Sequence, residues 1–218
     1  MTGNDAAVLI PQETQPRMDE RVKTDMGSLA AALDFDAELM LRVKEGDGAS
    51  FGILLEKHRS PVIHFLYRMV QNQAVAEELA QEVFLRVYRS RESYEPTAKF
   101  TTWLFRIATH LALNSLRDGR NRRLEERLDD DSADAPARQV SDRRPSVEEE
   151  MVHQARLGEV RRAVAMLPEK QRAAVLMHKY REMEYSQIAK VLNCSESAVK
   201  SLLFRAYETL RARLAHMA

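Results

Sequence analysis

The sequence predicts an all-α fold: two helical domains joined by a flexible linker, the C-terminal one containing a helix-turn-helix. Three observations carry that expectation. Apolar residues recur at three- and four-residue spacing through residues 34–118 and 147–218, and no stretch alternates as a strand would. Between them, residues 119–146 are rich in Arg, Asp and Pro with almost no apolar period, too polar to bury a core. Near the C-terminus, two helical segments are separated by a turn of three or four residues around Cys194.

Residues 1–33 contain Gly3, Pro11, Pro16 and Gly27 without a sustained apolar period, and read as a disordered tail. From Asp36, Leu39, Met40 and Val43 recur at helix spacing before the breaker Gly46-Asp47-Gly48. A second segment carries Phe51, Leu54, Leu55, Val62, Phe65, Leu66 and Met69. Pro61 should kink or split it, with Ser60 available as a cap, because proline lacks an amide donor and clashes with the preceding turn. A third helix runs from about Ala74 to Glu92 on a stripe of Leu79, Val83, Phe84 and Val87.

"SYEPTAKFTTW" reads as a loop. Thr101 or Thr102 then caps a fourth helix through Trp103, Leu104, Ile107, Leu111 and Leu116, ending near "RDGRNRR". After Pro145, Val147, Met151, Leu157, Val160, Val164 and Leu167 predict a helix stopped by Pro168. Another follows with Val175, Leu176 and Tyr180. "YSQIAKVLN" is a short helix ending at Asn193, which tolerates the left-handed conformation, and Ser195 caps the last helix.

Net charge is zero, but its distribution is not even. Residues 151–218 hold 12 basic and 6 acidic side chains, whereas residues 119–150 hold 7 and 10. A basic C-terminal unit behind an acidic connector fits a polyanionic partner better than the zero total does. No apolar run approaches the roughly 18 to 20 residues of a membrane span, so no membrane insertion is expected. The first thirty residues lack a signal pattern, which makes the cytoplasm the expected location.

Catalytic signals are sparse. The six histidines are scattered, with no paired metal-ligand spacing, and seven glycines leave little room for phosphate-cradling loops. No cofactor, metal or catalytic residue is assigned. Cys194, the lone cysteine, reads as a half-buried filler of its turn.

The C-terminal hairpin is the stronger signal. In "YSQIAKVLNCSESAVKSLLFRAYETL", Ile188, Ala189, Leu192, Val199 and Leu202 form a buried seam. The second helix then turns Lys200, Ser201 and Arg205 outward, in the manner of a recognition helix in a major groove. On pattern alone, a helical hairpin with a solvated face remains an alternative. On the third helix Glu78, Gln81, Glu82 and Leu85 share a face opposite the apolar stripe, again either a docking surface or a solvated one. The fourth helix mixes Phe100, Trp103 and Phe105 with Lys99, Arg106, His110 and Arg117, types that serve unstacked bases as well as a core.

"EELAQEVFLRVYR", "FTTWLFRIATHLALNSLR" and "LPEKQRAAVLMHKYREMEYSQIAKVLNCSESAVKSLLFRAYETLR", taken in series, resemble the extracytoplasmic-function sigma factors of bacterial RNA polymerase. The likeness covers about residues 36–118 and 147–214. It implies an alternative sigma factor whose partners are promoter DNA and core RNA polymerase, through the β′ clamp helices and the β flap, with an anti-sigma factor as a possible regulator. By resemblance the core-binding positions are Glu78, Gln81, Glu82 and Leu85, with Phe84 packed behind.

The loop Tyr94–Phe100 would capture an extruded −10 base, and Tyr94, Lys99, Phe100, His110, Asn114 and Arg117 are the −10 positions. Ser197, Lys200, Ser201, Phe204 and Arg205 are the −35 positions. The acidic run Asp129, Asp130, Asp131 and Asp134 would thread the channel used by nascent RNA.

Three departures stand out. His110 replaces a frequent Asn. Glu184 replaces a Ser cap, which should let its helix fray. Leu202 replaces a frequently basic residue. The alternative reading is a helix-turn-helix regulator that binds duplex operator DNA without replacing a sigma subunit, residues 36–118 then serving dimerisation or sensing.

Overall fold

Helix caps set where each element begins. In the computed structural model, which describes residues 34–126 and 147–217, Asp34 accepts the Asp36 amide at 3.3 Å and opens α1 (Phe35–Lys44). Asp47 accepts the amides of Ala49 and Ser50 at 2.9 and 3.3 Å and opens α2 (Gly48–Val70). The Ser50 hydroxyl, which donates to Asp47 Oδ2 at 2.6 Å, and then these amides hold its carboxyl below the usual range. Asn72 accepts the Val75 amide at 3.2 Å and opens α3 (Gln73–Arg89), which starts one residue and ends three residues earlier than its apolar stripe predicts.

A 3-10 turn, Arg91–Ser93, leads into the loop before α4 (Phe100–Glu126). The second half holds α5 (Val147–Ala165), α6 (Glu169–Tyr180), α7 (Tyr185–Leu192) and α8 (Glu196–Leu214), closed by a 3-10 turn, Ala215–Met217. No strand occurs among the described residues.

Pro61 does not split α2. The helix runs unbroken through it, and Ser60 is an exposed interior residue rather than a cap. Leu54 and His58 are buried before the proline and Val62, Phe65, Leu66 and Met69 after it, so packing on α1, α3 and α4 outweighs one lost backbone bond. Helix α4 also departs from expectation at both ends. Thr101 and Thr102 lie inside it, because the Phe100 amide is already held by Asp34 at 2.6 Å. Its C-terminal end passes "RDGRNRR" and reaches Glu126, so the first eight residues assigned to the linker are helical. Residues 1–33 and 127–146, including Asp129, Asp130, Asp131 and Asp134, lie outside the described residues.

The C-terminal turn follows the sequence closely. Asn193 is left-handed at φ 50°, Ser195 Oγ accepts the Ala198 amide at 3.2 Å, and Cys194 is half-buried between them. At Glu184 the start of α7 is held in another way. Gln187 Oε1 folds back to accept the Glu184 amide at 2.9 Å, so α7 is held from its third position instead of its first.

The two halves also meet. Helix α7 packs on α4, and α5 and α6 pack on α2. Buried Arg172 donates to the Met69 carbonyl at the end of α2 and, within its own half, to the carbonyls of Ala165 and Leu167. The Arg68 guanidinium lies 3.9 Å from the Tyr180 ring centre and that of Arg181 lies 4.7 Å from that of Phe105. Arg120 pairs with Glu169 at the rim.

Candidate nucleic-acid and partner interfaces

Helix α8 is two-faced. Val199, Leu203 and Ala206 are buried, while Ser197, Lys200, Ser201, Phe204 and Arg205 are all exposed. Ser201 Oγ donates to the Ser197 carbonyl at 3.0 Å, and Ser197 Oγ lies 2.9 Å from Ser195 Oγ. Lys200 and Arg205 form no ion pair among the described residues. Phe204 is 68% exposed, an unusual position for a phenylalanine with no core to serve. An apolar ring between two cations suits a base edge carrying a methyl group flanked by phosphates or guanines.

Helix α3 divides the same way. Ala76, Ala80, Val83, Phe84 and Val87 are buried, and Glu78, Gln81 and Leu85 are exposed. Half-buried Glu82 accepts from Arg86 Nε at 2.6 Å. The result is an acidic strip with an apolar end, since Leu85 and Tyr88 are 49% and 43% exposed. Such a strip matches a docking surface of basic and apolar groups.

The aromatic side chains before and within α4 take a different place from that expected. Tyr94 and Phe100 are buried, and only Glu95, Thr97 and Lys99 of the intervening loop are exposed. Tyr94 packs on Trp103 with ring centres 4.9 Å apart, and Phe100 packs on Trp103 at 5.8 Å and on His58 at 5.4 Å. These two aromatics are thus structural in this conformation, because burying them against Trp103 removes more apolar surface from water than presenting them would. Burial, with Asp34 and Asp36 nearby, pushes the Tyr94 phenol up to about 12, so it stays neutral.

On the outer face of α4, Arg106, His110, Asn114 and Arg117 are exposed at helical spacing. The competing placement of His110 in the core is therefore overturned. Arg117 donates to Asn114 Oδ1 at 3.3 Å.

Sequence reasoning overlooked the polar cluster beneath the loop. Buried Asp36 accepts from Lys57 Nζ at 2.6 Å and pairs with buried His58 Nε2 at 2.9 Å. Burial holds the His58 imidazole below its ordinary value, with the Asp36 carboxylate opposing that shift. The one local signal was a histidine at a position of the α2 stripe that would otherwise be apolar.

The acidic strip and the basic face of α8 lie in the two stretches of chain that family models match. Residues 54–123 match the model of Sigma-70 region 2, and residues 157–210 match that of Sigma-70, region 4. The chain is 32% identical to the RNA polymerase sigma factor CarQ of Myxococcus xanthus, over 82% of this chain and 97% of that one. It belongs to the sigma-70 family, in its extracytoplasmic-function branch.

The RNA polymerase sigma-H factor of Pseudomonas aeruginosa is 29% identical over 80% of this chain and 91% of its own. The extracytoplasmic-function sigma factor SigW of Bacillus subtilis is 28% identical over 79% and 93%. Among solved structures, CnrH, in complex with the cytosolic domain of CnrY, has a TM-score of 0.62 at 19% identity, covering 84% of this chain and 99% of that one. The sigma factor RpoE of Bartonella quintana, in complex with the anti-sigma factor NepR, gives 0.60 at 19%, covering 76% and 96%. Both share the fold.

This sigma factor binds core RNA polymerase and directs promoter-specific initiation, and the operator-binding regulator is not favoured. No helix among the described residues is long and apolar enough to cross a membrane.

Proposed function

We propose that residues 34–126 bind core polymerase and read the −10 element, and that residues 147–217 read the −35 element. The observation that carries this is the α8 surface, where five side chains suited to a groove stand exposed on one face and the opposite face is buried. Ser197, Lys200, Ser201, Phe204 and Arg205 lie in the major groove, Arg205 on a base edge and Lys200 on phosphate. Glu78, Gln81, Glu82 and Leu85 meet the β′ clamp helices, where the acidic strip finds basic partners and Leu85 an apolar one. Lys99, His110, Asn114 and Arg117 face the melted −10 strand. Extruding a base costs a few kcal/mol of stacking, which a shaped loop offsets.

Tyr94 and Phe100 support that loop from beneath. An anti-sigma factor is a further partner, by likeness to the fold of the sigma factor solved with NepR. The −10 and −35 elements lie about 25 base pairs apart, roughly 85 Å at 3.4 Å per step, so α7 must leave α4 for one chain to read both. Co-purification with core enzyme tests the assignment. The chain should bind promoter duplex tightly with core and weakly without it; tight duplex binding by the free chain, with no core association, would overturn it.

A further inference from the structure

The loop Tyr94–Phe100 does little to hold itself. Its one internal backbone hydrogen bond joins the Thr97 amide to the Glu95 carbonyl at 2.8 Å. Its ends are instead tied to α1, across separations of 50 and 66 residues. At the first end, Lys44 Nζ donates to the Tyr94 carbonyl at 3.2 Å. At the second, Asp34 Oδ2 accepts the Phe100 amide at 2.6 Å. Lys44 is the last residue of α1 and Asp34 its cap, so the two ties sit at opposite ends of one helix, roughly 15 Å long at 1.5 Å per residue.

The same helix supports the layer below the loop. Asp36 bonds His58, whose ring packs on Phe100. The rings of Tyr94 and Phe100 meet at 6.4 Å, so the loop closes over its own two aromatics and bows outward. Glu95, Thr97 and Lys99 are the side chains left exposed at its crest.

We infer that α1 is the strut that sets −10 readout, with Asp34 and Lys44 as positioning residues that hold Glu95, Thr97 and Lys99 where an extruded base is read. This rests on the assignment of the loop to −10 recognition made above. A mobile loop would offer the same side chains in many arrangements and discriminate poorly between bases; pinning both ends removes that freedom before binding.

Asp34→Asn separates positioning from folding. Asp34 uses one carboxylate oxygen for the Asp36 amide and the other for the Phe100 amide. Asparagine is an equally good helix cap but offers a single acceptor oxygen, so it cannot hold the Asp36 and Phe100 amides at once and the bridge between helix start and loop is broken. Lys44→Met removes the other tie from an exposed position while keeping the apolar stem.

The experiment is transcription by reconstituted holoenzyme from a library randomised across the −10 element, alongside core affinity, −35 preference and thermal melts. Wild type is compared with Asp34→Asn, Lys44→Met and a loop variant carrying Glu95→Ala, Thr97→Ala and Lys99→Ala. The two strut variants should flatten base discrimination at the same −10 position as the loop variant, by about tenfold, with core affinity and −35 preference unchanged. A wild-type base profile in both strut variants, whether or not total activity falls, overturns the inference if the loop variant does change the profile. If the loop variant leaves the profile intact as well, the loop assignment itself is wrong and the strut falls with it.

Discussion

Removing Lys200 and Arg205 together should silence −35-dependent transcription without touching the fold. Both side chains are exposed on α8, and neither has an ion-pair partner among the described residues, so their loss should change stability by no more than about 0.5 kcal/mol. What changes is binding. An arginine making a bidentate base contact contributes about 1–3 kcal/mol of discrimination, and a lysine on phosphate adds a sequence-independent, salt-dependent share. Taking about 3 kcal/mol for the pair, promoter affinity should fall by a factor of roughly 150.

The two residues separate in their signatures. Arg205→Ala should relax preference at one −35 position, whereas Lys200→Ala should weaken every −35 variant alike and reduce the salt slope by about one. The assay is run-off transcription and holoenzyme binding over a set of −35 variants, at two salt concentrations, with melts as the control for folding. Unchanged transcription from a −35-dependent promoter in the double variant would refute the groove assignment.

On α3, Glu78→Lys with Glu82→Lys should abolish core binding while circular dichroism still reports a helical protein; wild-type core affinity would make that face a solvated one. His110 is exposed beside Arg106 and Asn114, so His110→Asn should move the preferred base at one −10 position and leave melting unchanged; an unaltered −10 profile would remove it from the interface.

Stability should fall on acidification through the ordinary histidine value of 6.5, because burial holds His58 below that value when folded and the unfolded chain takes the proton first. Lys57 and Arg181 also disfavour its protonation and Asp36 favours it. The His58 contribution can reach at most about 1.4 kcal/mol per pH unit, and His58→Gln should lessen the dependence in melts between pH 7.5 and 5.5. An equally steep fall in the variant would assign the effect elsewhere.

What the sequence makes legible is local. The Asn193–Ser195 turn is read correctly because both residues act on backbone within three positions of themselves. The α3 and α8 faces are read correctly because helix period alone separates Phe84 from Glu78, and Val199 from Lys200. The misses are tertiary. Pro61 breaks a helix in isolation, yet α2 survives because residues on both sides of it are buried against three other helices.

The start of α4 was misplaced because its first amide is held by Asp34, across a separation of 66 residues that no local pattern reveals. Tyr94 and Phe100 are placed in a −10 loop by resemblance alone, and a position in the chain does not say which way an aromatic points; Trp103 and His58 supply the surface that draws both inward. Arg172 reads as one more cation in a basic unit, whereas its guanidinium is buried and bonded to the end of α2.

The central claim is tested most directly by run-off transcription with purified core polymerase and this chain, on a promoter selected from a randomised library. The account predicts a defined transcript that requires both the chain and core, and that is lost when either the −10 or the −35 element is scrambled. A transcript insensitive to both elements, or initiation by core with no dependence on the chain, would contradict it.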